Sequence, residues 1–364
     1  MPSDSLPEEW SILRQWLPED LEGLAKEHGF MRRARGIEDA DLWLKLILMH
    51  VAGGLSLEQT VLRAAELGWA QLSAVALFKR LRQSQGWLAH MTAHLLAQQQ
   101  KLLRTAQWSS SWKVRVVDAT DIQEPGSTGT AWRLHYSLQM PQMVCDHFEL
   151  TDAGGGEKLG RFAFAEGELV VADRGYSHRA GVAQVLQAKA QALVRWNPAS
   201  FPLEDSKGKS LEVLSWLRRL PKQGAREKAV WFTYQGQRHQ LRLCALRKGR
   251  LATQRAQERA KAKAVHRGRN IEPQTLEYAH YVMVLCSAPA ESLPVSQVLE
   301  LYRGRWQVEL AFKRLKSLLD AGHVPKSDDA SARAWMQAKI LTALLVERTL
   351  WEAECLSPWG YGLG

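Results

Sequence analysis

Four side chains of different chemistry share a helical spacing near residue 300. Tyr302, Arg305, Glu309 and Lys316 lie at offsets of 0, 3, 7 and 14 residues. At about 100° per residue these positions project within about 60° of one another, so a helix would place all four on one face. Such a face can hold a metal ion and a phosphate together. The alternative is a set of solvated helix charges whose ion pairs contribute about 0.3–0.5 kcal/mol each.

An aspartate follows a strand-like segment, WKVRVVDATD, near residue 118. Val114 and Val116 alternate with Lys113 and Arg115, which predicts a half-buried strand that leads to Asp118. A carboxylate at a strand end is often only a helix cap or turn former, so this residue alone does not establish a site.

Asp121 is the rival to Asp118 on this strand. Residues three apart on an extended backbone point to opposite faces, so only one of the two can serve a shared site unless the strand bends. Asp118 is preferred because the apolar run leads directly into it. A second aspartate, Asp173, follows the continuous apolar run from Leu169 to Ala172, which predicts a strand covered on both faces. Ligands bind at this edge in open α/β sheets.

The segments VVDATD, ADRGY and YRGRWQVELAFKRLK resemble the three catalytic motifs of bacterial insertion-sequence transposases of the DDE class. The branch is the insertion-sequence-four type, named for its Y-R-E-K signature, and the spacing Y-x2-R-x3-E-x6-K is matched in full. The resemblance covers about residues 112 to 320. It implies an α/β fold with a ribonuclease H-like catalytic core, a β-rich insertion domain and an α-helical N-terminal domain.

The same resemblance implies the roles of individual residues. A metal-binding catalytic triad would hold two Mg²⁺ ions, for which Mn²⁺ would substitute, and would consist of Asp118, Asp173 and Glu309. Carboxylates suit Mg²⁺, and two ions about 3.5–4 Å apart support in-line displacement at phosphorus. The terminal phosphate of a DNA strand would be gripped by Tyr302, Arg305 and Lys316. Two basic residues within these motifs, Arg174 and Lys313, are also expected to contact DNA.

Charge distribution supports an acidic polymer as the partner. The chain has 48 basic and 38 acidic residues, giving a net charge of +10 and a pI near 9.5. Residues 247–269 hold nine basic side chains and one acidic one, and Ala and Gln between them favour a helix. This segment is predicted to clamp DNA beside the cleavage site through Arg250, Arg255, Arg259, Lys261, Lys263, Arg267 and Arg269. A solvated surface helix is the alternative.

Four consecutive segments that form three domains are expected. They are a helical N-terminal domain (1–108), the first part of the core (109–198), a β-rich insertion (199–288) and the core completion with the Y-R-E-K helix and a C-terminal helix (289–364). Strand-like runs at 229–234, 239–246 and 279–286 indicate the insertion, because Asp173 and Glu309 are too far apart in sequence for neighbouring elements of one compact core.

The N-terminal domain contains helix signals that end in a basic helix. Ser56 and Gln59 form a predicted capping box, Ser73 can cap the next helix, and Lys79 and Arg80 lie on it. This pattern is compatible with recognition of DNA ends in a groove and equally with a plain helical bundle. A further helix is predicted from Asp329 to Glu354.

The remaining features narrow the class of protein. Four scattered cysteines indicate neither a zinc site nor a disulfide framework, and the N-terminal segment lacks a signal-peptide pattern. A cytoplasmic, nucleoid-associated protein without membrane contact is expected. Its predicted partners are the double-stranded terminal repeats of an insertion element, target DNA and a second copy of the chain in the DNA complex.

The leading hypothesis is a transposase that cleaves element ends with the help of metal ions and transfers the 3′-hydroxyl into target DNA. The resemblance further implies a cut-and-paste route with hairpin ends. One alternative is a catalytically inactive relative that acts as a DNA-binding repressor. Another is an unrelated hydrolase with paired carboxylates that acts on a neutral substrate such as a sugar.

Overall fold

The computed structural model describes residues 6–31, 37, 39–105, 112–123, 132–140, 144–266, 268, 270–305 and 328–356. Its helices are α1 (Leu6–Arg14), α2 (Leu21–Glu27), α3 (Ala40–Ala52), α4 (Leu57–Glu66), α5 (Ala74–Gln83), α6 (Gln85–Thr105), α7 (Arg179–Gln187), α8 (Val213–Arg218), α9 (Arg250–His266), α10 (Pro273–Tyr278), α11 (Val295–Gly304) and α12 (Asp329–Leu356). Its strands are β1 (Lys113–Ile122), β2 (Trp132–Gln139), β3 (Val144–Asp152), β4 (Glu168–Ala172), β5 (Gln191–Arg195), β6 (Arg226–Tyr234), β7 (Gln237–Arg247) and β8 (Tyr281–Cys286).

These strands form one mixed sheet in the order β3-β2-β1-β4-β5-β8-β7-β6. Strand β2 is antiparallel to both of its neighbours, β1 and β3, whereas β1, β4 and β5 run parallel to one another. Parallel neighbours need a crossover connection, and α7 supplies the one between β4 and β5. The mixed α/β class predicted from the sequence is therefore confirmed.

The middle of the sheet is buried on both faces. Along β4, Leu169 and Val171 belong to one apolar cluster, and Val170 and Ala172 belong to the other. Alternate residues of a strand point to opposite faces, so the two clusters lie on the two sides of the sheet. The prediction of a fully covered strand before Asp173 is confirmed.

The strand β1 differs from its prediction, because both of its faces are covered. Arg115 was expected on a polar, solvated face but is only 6% exposed. Its Nε atom lies 2.9 Å from Asp146 Oδ2, and its Nη1 atom lies 3.7 Å from Glu168 Oε2. A buried cation is tolerated only when it is paired, and both acidic partners are remote from Arg115 in sequence. The alternation of valines with basic residues therefore did not reveal that Arg115 is buried.

The predicted insertion strands do form, but they extend the core sheet. A two-residue turn joins β6 to β7, and both of its central residues, Gln235 and Gly236, have positive φ angles of 49° and 77°. This is the backbone of the tight turns that suit twisted hairpins. The last strand, β8, pairs with both β7 and β5, so it joins the hairpin to the core.

The N-terminal helices pack with the C-terminal helix on one side of this sheet. Helix α12 contacts α3, α5 and α6, and Gln337 Nε2 donates to Thr92 Oγ1 on α6 at 3.1 Å. The hydroxyl of Tyr136 on β2 donates to Glu347 Oε1 on α12 at 3.0 Å. The capping box of Ser56 and Gln59 is confirmed. None of the helices in the described ranges is both long and apolar enough to cross a membrane.

Replacing Arg115 by alanine is expected to destabilise the fold by about 3–5 kcal/mol, because Asp146 would remain buried without its cation. Urea unfolding of the two proteins measures the difference. Arg63→Ala is the control, since the Arg63–Glu66 pair is exposed and should contribute no more than about 1 kcal/mol. Equal losses in the two variants would contradict a structural role for the buried pair.

Candidate active site

Two aspartates lie side by side where the parallel pairing of β1 and β4 ends. The pairing runs from Lys113 opposite Glu168 to Val117 opposite Ala172. The residues that follow Val117 and Ala172 in sequence are Asp118 and Asp173. Asp118 was predicted to end its strand, but β1 continues to Ile122 by pairing with β2. It lies instead at the end of the parallel part of β1. The register therefore sets both carboxylates at the same edge.

Asp173 directly follows β4 and caps a short helical turn. Its Oδ1 atom accepts a hydrogen bond of 2.7 Å from the backbone N–H of Gly175. This capping role is the alternative considered for a carboxylate at a strand end, and it fixes the orientation of the side chain. The second carboxylate oxygen remains available for another partner.

Asp118 is nearly buried and is paired with Arg305. The Oδ2 atom of Asp118 accepts a hydrogen bond of 2.8 Å from Arg305 Nη1. Burial raises the pKa of Asp118 to about 7, although the charge of Arg305 opposes this effect. The negative charges of Asp173 and Glu157 also raise this pKa. Even with Arg305 beside it, the Asp118 carboxyl group therefore accepts a proton near neutral pH.

The structure brings Tyr302 and Arg305 together but changes the predicted helix. The sequence indicated one helix from Tyr302 to Lys316, whereas α11 ends at Gly304 and Arg305 is its C-terminal cap. Tyr302 lies in the last turn, with its ring centre 5.9 Å from the Arg305 guanidinium. Burial raises the pKa of the Tyr302 phenol, so it stays protonated and can donate a hydrogen bond.

Several predicted site residues lie outside the described part of the chain. They are Glu309, Lys313, Lys316, Arg267 and Arg269. The third carboxylate of the proposed triad and the lysine of the Y-R-E-K signature therefore remain sequence predictions.

The other predicted DNA contacts lie on separate elements. Arg174 follows Asp173, and its Nη2 atom donates to Asn197 Oδ1 at 2.9 Å. Five basic residues on α9 have exposed side chains, namely Arg250, Arg255, Arg259, Lys261 and Lys263. On α5, Lys79 is exposed, whereas Arg80 donates to the Phe30 carbonyl oxygen at 2.6 Å and covers the Trp43 ring. Arg80 therefore supports the packing of the helical domain.

A basic cleft of about 370 Å³ opens beside Tyr302 and Arg305. Its polar lining also includes Arg195 at the end of β5, Lys248 after β7 and Arg303 on α11. Apolar side chains form another part of the wall, namely Leu246, Val282 and Leu299. Four cations and a phenol around one cleft favour an anionic ligand. No local signal indicated Arg195, because its place in the cleft depends on the sheet order that brings β5 next to β8.

The pKa of Lys248 is lowered by this environment. Burial lowers its pKa to about 8, and the charge of Arg195 acts in the same direction. Its Nζ atom donates to the Ala279 carbonyl oxygen at 3.0 Å. A bound anion would offset the repulsion between these two cations.

Comparison with known proteins identifies the family. Residues 112–345 match the family model described as a transposase DDE domain. The chain is 32% identical over 346 residues to the putative transposase InsL for insertion sequence element IS186A of Escherichia coli K12, and 33% identical over 347 residues to the transposase for IS421 of Escherichia coli, with 93% of both chains covered in each case. It is 25% identical over 382 residues to the transposase for IS231F of Bacillus thuringiensis, covering 94% of this chain and 79% of the relative.

The chain therefore belongs to the transposase DDE domain family. It is a DDE transposase of a bacterial insertion sequence, an enzyme of DNA transposition. Domains of this kind use divalent metal ions.

The described residues fit such an ion in chemistry but supply only part of its ligands. Asp118 and Asp173 present carboxylate oxygens, the donors that hard divalent cations prefer. No group of three Asp, Glu, His or Cys side chains within the described ranges is arranged to hold an ion by itself. Arg305 supplies the positive charge beside Asp118 in this structure.

The cleft is expected to bind anions less tightly as pH rises. With a pKa of about 8, Lys248 is about nine-tenths charged at pH 7 and about one-tenth charged at pH 9. Sulfate is a suitable probe because it keeps its charge over this range. Its affinity, measured by calorimetry, should fall between the two pH values in the wild type and change little in Lys248→Arg. An equal fall in both proteins would show that Lys248 does not bind the anion.

Proposed function

We propose that this transposase cleaves DNA at the ends of its insertion element and joins the freed 3′-hydroxyl to target DNA. The observation that carries this proposal is the in-register placement of Asp118 and Asp173, with Arg305 and Tyr302 beside them. Glu309 is assigned as the third carboxylate from the Y-R-E-K spacing. The strand order β3-β2-β1-β4-β5 supports a ribonuclease H-like core.

The three carboxylates would hold Mg²⁺, or Mn²⁺ in its place. When bound, the metal pair would activate a water or 3′-hydroxyl nucleophile and stabilise the leaving oxygen at phosphorus. The protein's own part is to fix the carboxylates, which the β1–β4 register does for Asp118 and the Gly175 hydrogen bond does for Asp173.

Arg305 and Tyr302 are proposed to bind the phosphate at the strand end together with Lys316. A guanidinium can hold a phosphate through two parallel hydrogen bonds, and a phenol adds one donor. The basic cleft continues this surface through Arg195 and Lys248, so it would accept the phosphate backbone next to the cleaved bond. Arg305 must then exchange Asp118 for the phosphate, which leaves Asp118 free to bind the metal ion.

Helix α9 is proposed to bind DNA next to the active site. The five basic residues named above on α9 are exposed, whereas Thr253 on the same helix is buried. Burial and the negative charge of Asp173 raise the pKa of Glu157, and the positive charge of Lys263 acts weakly in the opposite direction, which supports placing the end of α9 on the side of the proposed catalytic carboxylates. DNA running from the cleft along α9 would neutralise this row of charges.

The assembly and the route are further parts of the proposal. Two element ends must be held together, so a homodimer on DNA is proposed, with the N-terminal helices contacting the terminal repeats through Lys79. The cut-and-paste route with hairpin ends follows from the resemblance of the Y-R-E-K motif. Binding of the repeats without cleavage under any metal would favour the inactive repressor.

Asp118→Asn, Asp173→Asn and Glu309→Gln are each expected to abolish release of a 3′-hydroxyl at the repeat boundary, because each removes one metal-binding charge. The assay uses a labelled duplex with the element's terminal repeat, in Mg²⁺ and in EDTA. Glu166→Gln is the control, since Glu166 is exposed and lies 3.5 Å from Lys189. Asp121→Asn tests the rival carboxylate on the same strand, which is paired with Arg133 at 2.9 Å. Cleavage by a triad variant, or its loss in Asp121→Asn alone, would overturn the assignment.

Neutralising Arg255 and Arg259 with glutamine is expected to weaken DNA binding and reduce its salt dependence. Each lost phosphate contact should lower the slope of log K against log salt by about 1. Fluorescence anisotropy over a salt series measures this slope. The matched control replaces Lys207 and Lys209 with glutamine, which removes the same charge from an exposed turn around Asp205. Equal slopes for both variants would exclude α9 from the interface.

A further inference from the structure

Glu157 is a carboxylate at the edge of the active site to which neither the sequence motifs nor the proposed chemistry assigns a role. It lies in the loop after β3 and is half-buried. A Cβ atom built on Gly175 would lie 1.5 Å from Glu157 Oε2 and 3.1 Å from Asp173 Oδ1. The Glu157 carboxylate therefore occupies the space that a side chain at position 175 would need. Glu157 and Asp173 are consequently neighbours across Gly175.

The loop holds Glu157 in place from both sides. Arg133 Nη1 donates to the Gly155 carbonyl oxygen at 3.0 Å, and Arg161 Nε donates to the Gly156 carbonyl oxygen at 3.0 Å. Each arginine is itself fixed by an acidic residue, Arg133 by Asp121 at 2.9 Å and Arg161 by Glu149 at 2.8 Å. The two carbonyl anchors precede Glu157 directly, so its position is determined by long-range contacts.

The placement is unfavourable for the protein alone. Within the described part of the chain, the Glu157 carboxylate makes no hydrogen bond or ion pair with a protein group. Burial and the negative charge of Asp173 raise the pKa of Glu157, and the positive charges of Arg133 and Lys263 offset only part of this rise. The like charges of Glu157 and Asp173, on either side of Gly175, repel each other, and partial burial weakens the screening by water. A cation bound at Asp173 would turn this repulsion into attraction.

We propose that Glu157 is a positioning carboxylate for the metal ion that Asp173 holds, accepting a hydrogen bond from a water on that ion. The inference rests on the proposed function, since it takes the metal site at Asp118 and Asp173 as given. Contact through water agrees with the geometry, because no three acidic side chains in the described ranges are arranged to bind an ion directly. Mg²⁺ characteristically keeps several of its waters in proteins.

The size of the expected effect follows from this indirect contact. Groups that act on a metal through its first ligands or waters typically change affinity by about tenfold to a hundredfold when they are removed. Glu157→Gln keeps the shape of the side chain and removes its charge, so it should weaken binding by that factor. Glu157→Asp keeps the charge and should recover part of the affinity. A purely structural residue would not show this order.

The test is a titration of the full-length protein with Mn²⁺ alone, followed by electron paramagnetic resonance of the free ion. Wild type, Glu157→Gln, Glu157→Asp and Asp173→Asn are compared with Glu166→Gln. Glu166 is exposed and lies 3.5 Å from Lys189, so it is the matched control and should bind Mn²⁺ like the wild type. Weaker binding in Glu157→Gln with partial recovery in Glu157→Asp supports the inference.

Gly175→Ala provides a second, independent variant. The new methyl group would displace the Glu157 carboxylate without removing it, because that carboxylate is the flexible end of its side chain. Affinity for Mn²⁺ should again fall, while thermal unfolding in EDTA reports on folding. Wild-type affinity in both Gly175→Ala and Glu157→Gln, with loss in Asp173→Asn, would overturn the role of Glu157 alone. Wild-type affinity in Asp173→Asn would overturn the metal site itself and this inference with it.

Discussion

The proposed active site depends on the register between two parallel strands. Val117 opposite Ala172 is the last pair of the β1–β4 ladder, and the residues that follow these two in sequence are Asp118 and Asp173. A shift of one residue would turn one of these side chains to the other face of the sheet. The register thus fixes two like charges next to each other, and the remainder of the site must compensate for that repulsion. Arg305 does so at Asp118, and the Gly175 amide does so at Asp173.

The register is held because both faces of these strands are covered. Alternate residues of β4 enter two different apolar clusters, so a slip would expose one set and bury unpaired polar groups. Arg115 adds to the specificity of the β1 register, since its charge is paired with Asp146 on β3 and Glu168 on β4. Helix α12 and the N-terminal helices contribute to the apolar cluster that contains Val114 and Val116, so they close that face of the sheet. The chain after the Y-R-E-K segment therefore supports the sheet that presents Asp118.

Local signals were enough to predict the elements that depend on neighbouring residues. The apolar run before Asp173 and the capping box of Ser56 and Gln59 were both predictable because a few adjacent residues determine them. Burial of Arg115 was not predictable, because its acidic partners arrive from two other strands. The same holds for the cleft, where the sheet order brings Arg195 and Lys248 together. The end of α11 at Gly304 divides a segment whose periodicity alone favoured one continuous helix.

Arg305 links the electrostatics of the carboxylates to those of the cleft. It lies between Asp118 and the cavity that it helps to line, so one guanidinium serves two anionic positions. Without another cation, burial would favour protonation of Asp118, and the protonated group is a poor metal ligand. The charge of Arg305 opposes this protonation, and a phosphate in the cleft would compete for the same guanidinium. A metal ion that replaced Arg305 at Asp118 would free the guanidinium for the phosphate of a DNA end, so phosphate binding and metal binding at the proposed site are expected to favour each other.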